Sequence, residues 1–199
     1  PGDFVTLEHL SFTATNPIES TAEAAFVWSY GMLLENWNPD TGLVRDKAKD
    51  PSGDFDAIQA TGSLAAATAQ AYQLGVISHE DAVAIVTKIA NTMLNDLPRY
   101  HGLWPHWVET NSQGQLLIVP NTEWSSVDSA IGAAGLLTAQ QALGLDTSGT
   151  EAFIIGIDWD MLLLEDGLSH GYTYDGQLIP YAWDAFGGES WLLALVYAA

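Results

Sequence analysis

Cysteine is absent from the 199 residues, which excludes a disulfide framework, thiol catalysis and any thiolate metal centre. Positive charge is scarce: five Lys and Arg stand against 25 Asp and Glu, a formal charge of −20. Such a surface repels phosphate backbones and anionic headgroups, so neither nucleic acid nor a membrane is an expected partner. No apolar run reaches the roughly 18–20 residues of a membrane span, because Gly, Asp, Glu and Thr interrupt every hydrophobic stretch. Pro1-Gly2-Asp3 lacks a basic segment leading into an apolar core, so no signal peptide is read at this N-terminus. No cofactor motif stands out, and no metal is expected. His101 and His106 match no zinc spacing, and Asp50-x-Ser52-Gly53-Asp54-x-Asp56 lacks the remaining ligands of a calcium loop.

What is present is apolar: hydrophobic residues make up 48% of the chain, enough for a substantial core and too many for a disordered segment. Residues 1–199 are read as a single domain with five clear helices and the start of a sixth. The first runs from about Ser20, which forms a capping box with Glu23, to Trp37, where Asn38-Pro39 stops it. The second covers about Asp54 to Leu74. The third opens on Ser78 and Asp81, carries Val83, Val86, Ile89, Ala90, Met93 and Leu97 at helical spacing, and halts at Pro98. The fourth spans about Ser126 to Leu143, the fifth about Gly149 to Glu165, and the sixth starts near Glu189 and is still running at Ala199.

The links between helices alternate in length. Short ones join the second helix to the third and the fourth to the fifth; long ones cover residues 38–53, 98–125 and 166–187. Long loops inside a compact domain are uncommon and usually functional. Two of them carry hairpin signals, one turning at Gly114 and one at Asp175-Gly176. Strict alternation places every long loop at one end of the helical layer, feeding the N-termini of the even helices. Those even helices are rich in Ala and Gly, which lets helix axes approach closely. The expected fold is therefore all-α: an inner set of even helices wrapped by odd ones, three helical hairpins of an α/α toroid, with short β-hairpins in the loops.

Carboxylates gather where long loops meet inner helices: Asp54, Glu123, Asp128 and Glu189. Asp54 and Asp128 also fit the ordinary role of acids at helix N-termini. Glu123 precedes the cap, where no helix requires it, and so reads as a pocket carboxylate for acid–base work. Glu189 follows Phe186-Gly187-Gly188, a lead-in that permits close backbone approach. The loops also hold Trp104, His106, Trp107, Trp124 and Trp183. Flat aromatic rings stack on the C–H faces of sugars, and acids, His and Asn bind the hydroxyls, so an oligo- or polysaccharide is the expected partner.

Several segments resemble the bacterial glycoamylase-like domain. They are Asn38-Pro39-Asp40-Thr41-Gly42-Leu43-Val44, Ala60-Thr61-Gly62-Ser63-Leu64-Ala65, Gly102-Leu103-Trp104-Pro105-His106-Trp107, Thr122-Glu123-Trp124-Ser125-Ser126-Val127-Asp128, and Gly187-Gly188-Glu189-Ser190-Trp191 with its Leu-rich continuation. The resemblance implies an (α/α)6 barrel of which the chain holds the first half, incomplete at its C-terminal end. It also implies glycoside chemistry related to β-1,2-glucan-acting enzymes and cyclic-glucan synthase modules. Carried over by position, Glu123, Asp128 and Glu189 are the catalytic candidates, with Glu123 as proton donor and Glu189 as base. Trp104, His106, Trp107, Trp124, Trp183 and Asp54 are the substrate-binding candidates. Gly187-Gly188 departs from the family's residues before Glu189, and the family's later motifs are missing. The expected function is a glucan-acting glycoside hydrolase-type domain in the periplasm or outside the cell. The alternative is a carbohydrate-binding or interaction module that completes its ring with a partner or by self-association.

Overall fold

In a computed structural model of the chain, the structure describes residues 21–47, 55–183 and 189–198. The chain begins with α1 (Thr21–Glu35), then β1 (Val44–Arg45), β2 (Asp56–Ala57), α2 (Ile58–Gln73) and α3 (His79–Asn91). A π-helical turn (Thr92–Asp96) precedes β3 (Trp107–Thr110), β4 (Leu116–Ile118), β5 (Trp124–Ser125) and α4 (Ser126–Leu143). Next come α5 (Ser148–Ile155), α6 (Trp159–Leu162), β6 (Leu163–Leu164), β7 (Gly167–Leu168), β8 (Gly171–Tyr172) and α7 (Glu189–Ala198). The described part is mainly helical, with short antiparallel strands confined to the long loops.

The helix ends follow local chemistry. Ser78 caps α3 by accepting the Asp81 N–H at 3.1 Å, and Ser125 caps α4 by accepting the Asp128 N–H at 3.2 Å. Gly144 ends α4 in a left-handed conformation (φ 69°), and Leu145 N–H closes the turn on the Gln140 carbonyl at 2.8 Å. Before Pro98 the backbone of α3 widens, and Leu97 N–H donates to the Thr92 carbonyl five residues back at 3.1 Å.

The core is organised by the meeting of α2 and α4. A Cβ built on Gly62 would lie 2.4 Å from Gly132 Cα, and one on Gly135 would lie 2.2 Å from the Gly62 carbonyl oxygen. Backbone thus faces backbone where these helices cross. Around the seam lie Ile58, Leu64, Ile85, Ile89, Met93, Leu103, Trp104 and Leu136, all buried. On its other flank α4 packs with α7 through Val127, Ala130, Leu193 and Val196.

The three long loops pair with one another rather than standing apart. Strands β1, β2, β3 and β4 form an antiparallel sheet in that order, so the loop after α1 is stitched to the loop after α3. Strand β5, at the end of that second loop, pairs with β8 in the loop before α7, with Trp124 opposite Tyr172 and Ser125 opposite Gly171. Both hairpins expected in the loops are found: β3 and β4 turn through Gly114, and the chain turns at Asp175-Gly176, bridging Tyr172 to Leu178.

One helix differs from its expected course. The sequence pattern predicts a fifth helix continuous from about Gly149 to Glu165, but α5 stops at Ile155, and after α6 the chain enters the β6–β7 hairpin. Tertiary contacts make the break. A Cβ on Gly102 would sit 2.5 Å from the Gly156 carbonyl, and Asp158 N–H donates to the His101 carbonyl at 3.1 Å. The backbone at 156–158 is thereby committed to the 100–103 turn instead of to its own helix.

The seam makes an opposed pair of predictions. Gly62→Ala should lower stability by about 1–3 kcal/mol, because neither backbone can yield. Gly31→Ala, on α1 with nothing within 4 Å of its new Cβ, should raise it by about 0.5–1 kcal/mol. Urea unfolding of both variants reads the difference; an unchanged midpoint for Gly62→Ala would show that the helices separate freely.

Candidate functional site

The register of two neighbouring segments builds the centre of the site. Pro105 bridges Trp124, His106 N–H donates to the Glu123 carbonyl at 2.9 Å, and Ser125 N–H donates to the Trp104 carbonyl at 3.0 Å. This ladder sets His106 beside Glu123, and their side chains meet: Nδ1 lies 2.9 Å from Oε1. Asp128, in the first turn of α4, approaches the same nitrogen at 3.6 Å. One imidazole edge therefore serves two carboxylates. Their accessibility differs: the Glu123 side chain is 37% exposed and the Asp128 side chain 5%. Glu123 can meet a solute, whereas Asp128 approaches the same imidazole edge from the buried side.

The electrostatics follow from this arrangement. Burial by itself would lower the His106 pKa. The Glu123 hydrogen bond and the charges of Asp128, Glu123 and Asp46 outweigh it and raise the value above the ordinary histidine range. Glu123 moves the opposite way. The His106 hydrogen bond, opposed by burial and aided by the charges of His106 and His170, holds its carboxyl below the usual range. Each partner therefore favours the charged form of the other, imidazolium beside carboxylate.

Trp107 lies against the pair, and a second aromatic group sits at the start of α4. Trp107 is tilted against His106 at 4.1 Å and against Phe55 at 4.8 Å, and its indole N–H donates to Asp46 Oδ1 at 3.3 Å. Trp183 stacks on His170 at 3.9 Å and donates its indole N–H to Ser126 Oγ at 3.1 Å, while that hydroxyl donates to the Ser169 carbonyl at 2.6 Å. Both tryptophans are partly exposed. His101 belongs to a neighbouring cluster, stacked on Tyr172 at 4.7 Å and paired with Asp158 at 3.1 Å.

The expected site residues divide in this light. The structure brings together Glu123, His106, Asp128 and Trp107, with Trp183 beside the start of α4. Two tryptophans differ from the sugar-contacting role expected of them. Trp104 is fully buried and stacked on Phe153 at 3.6 Å, so its ring fills core. Trp124 is 8% exposed and packs against Tyr100 at 5.6 Å, where it fastens β5 to β8. Asp54 lies outside the described residues. Glu189 opens α7, but its side chain lies outside them too. Asp46, Phe55 and His170 join the site without having been singled out. Asp46 and Phe55 lie in the loop after α1 with no spacing signal, and only the pairing of β2 with β3 delivers them. His170 was one loop aromatic among many.

His106, Glu123 and Asp128 each offer a ligand atom, all within 4.8 Å of one another, a donor set of the kind that can hold a divalent cation. The ring nitrogen is already engaged by Glu123. As it stands, the cluster is an acid–base pair with a buried carboxylate beside it.

Residues 20–142, more than half of the chain, match a family described as protein of unknown function, DUF3131. The chain belongs to the DUF3131 family. Comparison with curated proteins gives no match. Among solved structures, the chain is similar to a proposed glucoamylase from Bacteroides uniformis, with a TM-score of 0.72 at 17% identity, over 92% of this chain and 47% of that one. An endo-β-1,2-glucanase from Chitinophaga pinensis, solved with sophorotriose and glucose, gives 0.62 at 16% identity, covering 90% of this chain and 47% of its own. A β-1,2-glucanase from Parabacteroides distasonis gives 0.61 at 18%, over 81% and 25%. At such identities the likeness shows the fold, and at that level the resemblance read from the sequence holds. The chain spans about half the length of the Bacteroides structures it matches.

The ion pair has a definite pH signature. His106, raised on folding, contributes stability that is fully present below its unfolded pKa and lost as pH rises through its folded pKa. Glu123, lowered on folding, contributes above its unfolded pKa and loses that contribution as pH falls through its folded pKa. In an NMR titration, His106 should titrate above an ordinary histidine, and Glu123→Gln should bring it down. A His106 midpoint that ignores Glu123→Gln would remove the pair from the account.

Proposed function

We propose that this chain is the glucan-handling part of a glycoside hydrolase-type domain, and that the His106–Glu123–Asp128 cluster is its acid–base centre. The observation that carries the reading is the 2.9 Å contact between His106 and a part-exposed Glu123, with Trp107 against His106 and Trp183 held at the start of α4, where three long loops meet. Rings supply stacking surface for a sugar's C–H face, and the charged groups supply partners for its hydroxyls. Fold kinship with two β-1,2-glucanases supports a β-1,2-linked glucan as substrate.

Glycoside hydrolysis needs one group to protonate the leaving oxygen and another to activate water or attack the anomeric carbon. The sequence suggested Glu123 as the proton donor. Its lowered pKa favours the other role, since a carboxyl held ionised by an imidazolium is a base or a nucleophile. Asp128, buried beside the same imidazole nitrogen, is a positioning residue whose charge favours the protonated form of His106. The proton donor then falls to another carboxyl. Glu189, at the start of the helix that packs on α4, is this chain's candidate. The fold suits half of an α/α toroid, and the proposed setting is the bacterial periplasm or exterior.

A second reading has its own support. Helix α1 exposes Trp28 and Met32, helix α7 exposes Leu195 and Tyr197, and the chain spans about half of its structural neighbours. Apolar side chains on the two flanking helices suit a ring closed by further helices or by a second copy, with this chain serving as a binding module.

One experiment separates the readings. The chain is incubated with β-1,2-, β-1,3-, α-1,4- and α-1,6-glucans, and released reducing ends are measured. Glu123→Gln should reduce turnover about 100-fold or more, and so should Glu189→Gln, with the β-1,2-glucan the best substrate. Turnover that survives both changes would overturn the site assignment. Binding without turnover would favour the module.

A further inference from the structure

A cavity of about 560 Å³ opens between the end of α3 and the start of α5 and shares no residue with the His106 cluster. Its polar lining includes Asn91, Asn95, Arg99 and Asp146, and its apolar lining includes Leu94 and Ala152. Arg99 is the informative residue. Its guanidinium carbon lies 4.9 Å above the Phe153 ring, and Nη2 donates to the Leu94 carbonyl. No carboxylate lies within ion-pair distance of it among the described residues, although the chain carries 25 acidic residues against five basic ones. The side chain stays largely open to solvent, and the partial burial of its guanidinium lowers its pKa. A guanidinium has five N–H donors in a planar fork, and the single hydrogen bond to Leu94 leaves the others open to solvent and to a solute in the cavity.

We propose that this cavity is a second binding site for the same glucan, with Arg99 as its anchor; the choice of ligand rests on the function proposed above. The lining selects a neutral polyhydroxyl compound over an anion. Asp146 shares the cavity, and its carboxyl is held ionised because the Ser148 N–H and hydroxyl both donate to it, at 3.0 and 2.9 Å. An anion approaching Arg99 would face that carboxylate and a chain of net charge −20. A sugar meets no such penalty. Its hydroxyl oxygens accept from Arg99 and the Asn91 and Asn95 amides, its hydroxyl protons go to Asp146, and its C–H faces lie on Leu94 and Ala152. Such a site would hold a polymer on the outside of the helical layer while another stretch occupies the loop end.

The test uses the 199-residue chain carrying Glu123→Gln, so that sophorotriose is not consumed. Its binding is followed by NMR at the Arg99 Nε–H, the Asn95 side-chain amide and the His106 ring. The expected result is saturable shifts at both places. Arg99→Gln should weaken binding roughly tenfold at Asn95, the loss expected for one charge-assisted hydrogen bond, and leave the His106 response unchanged. Ala152→Trp, which fills the cavity without removing any packing, should do the same. Shifts at His106 with none at Arg99 and Asn95 would overturn this proposal and leave the first site standing. Shifts at Arg99 and Asn95 that are untouched by both variants, or a tighter response to citrate than to sophorotriose, would also overturn it. Saturation at Arg99 with none at His106 would support the second site and count against the catalytic reading. Silence at both would overturn both.

Discussion

The close crossing of α2 and α4 is the constraint on which the rest depends. Gly62, Gly132 and Gly135 place the two backbones in van der Waals contact. That contact brings the N-terminal ends of two helices, and the long loops feeding them, within strand-pairing distance. Strands of two to four residues have no independent stability; they persist because the helices beneath hold the loops in register. Ile58, the first residue of α2, donates to the His106 carbonyl at 3.3 Å, so the ladder that orients the site is tied directly to the seam.

The site's electrostatics run against the chain's overall character. In a protein of net charge −20, a histidine held between two carboxylates is an efficient local neutraliser, and it is positioned by backbone pairing rather than by its own helix. The neutralisation has a chemical consequence. It keeps Glu123 ionised while leaving it reachable, and it allows Asp128 to be buried at a helix N-terminus, where the peptide dipoles also favour negative charge. The tryptophans divide by the same logic of location. Those whose rings fall beneath the loops become core, as Trp104 does, and those at the rim keep an open edge.

Membership of DUF3131 and the fold shared with glucan-acting proteins bear on different matters. The family match speaks for common descent over residues 20–142; the structural likeness speaks for architecture over nearly the whole chain. Neither reaches to catalysis at identities of 15–18% and a quarter to a half of the neighbours' length. The chemistry proposed here therefore rests on the side chains themselves.

The sequence alone determined most of the helices, the Ser78 cap, the hairpin turns and the small-residue faces of α2 and α4, because each depends on contacts within a few residues. Ser78 and the turn at Gly114 act within one or two turns of chain, and they are found where the pattern placed them. It also determined that the long loops share one end, since alternating link lengths leave little choice. Only the tertiary structure decided which loop residues meet. Asp46 and Phe55 reach the site because β2 pairs with β3, and α5 ends early because Gly156 is pressed against Gly102. Those outcomes depend on residues about 50 to 60 positions apart, and no local pattern encodes a contact made at that distance.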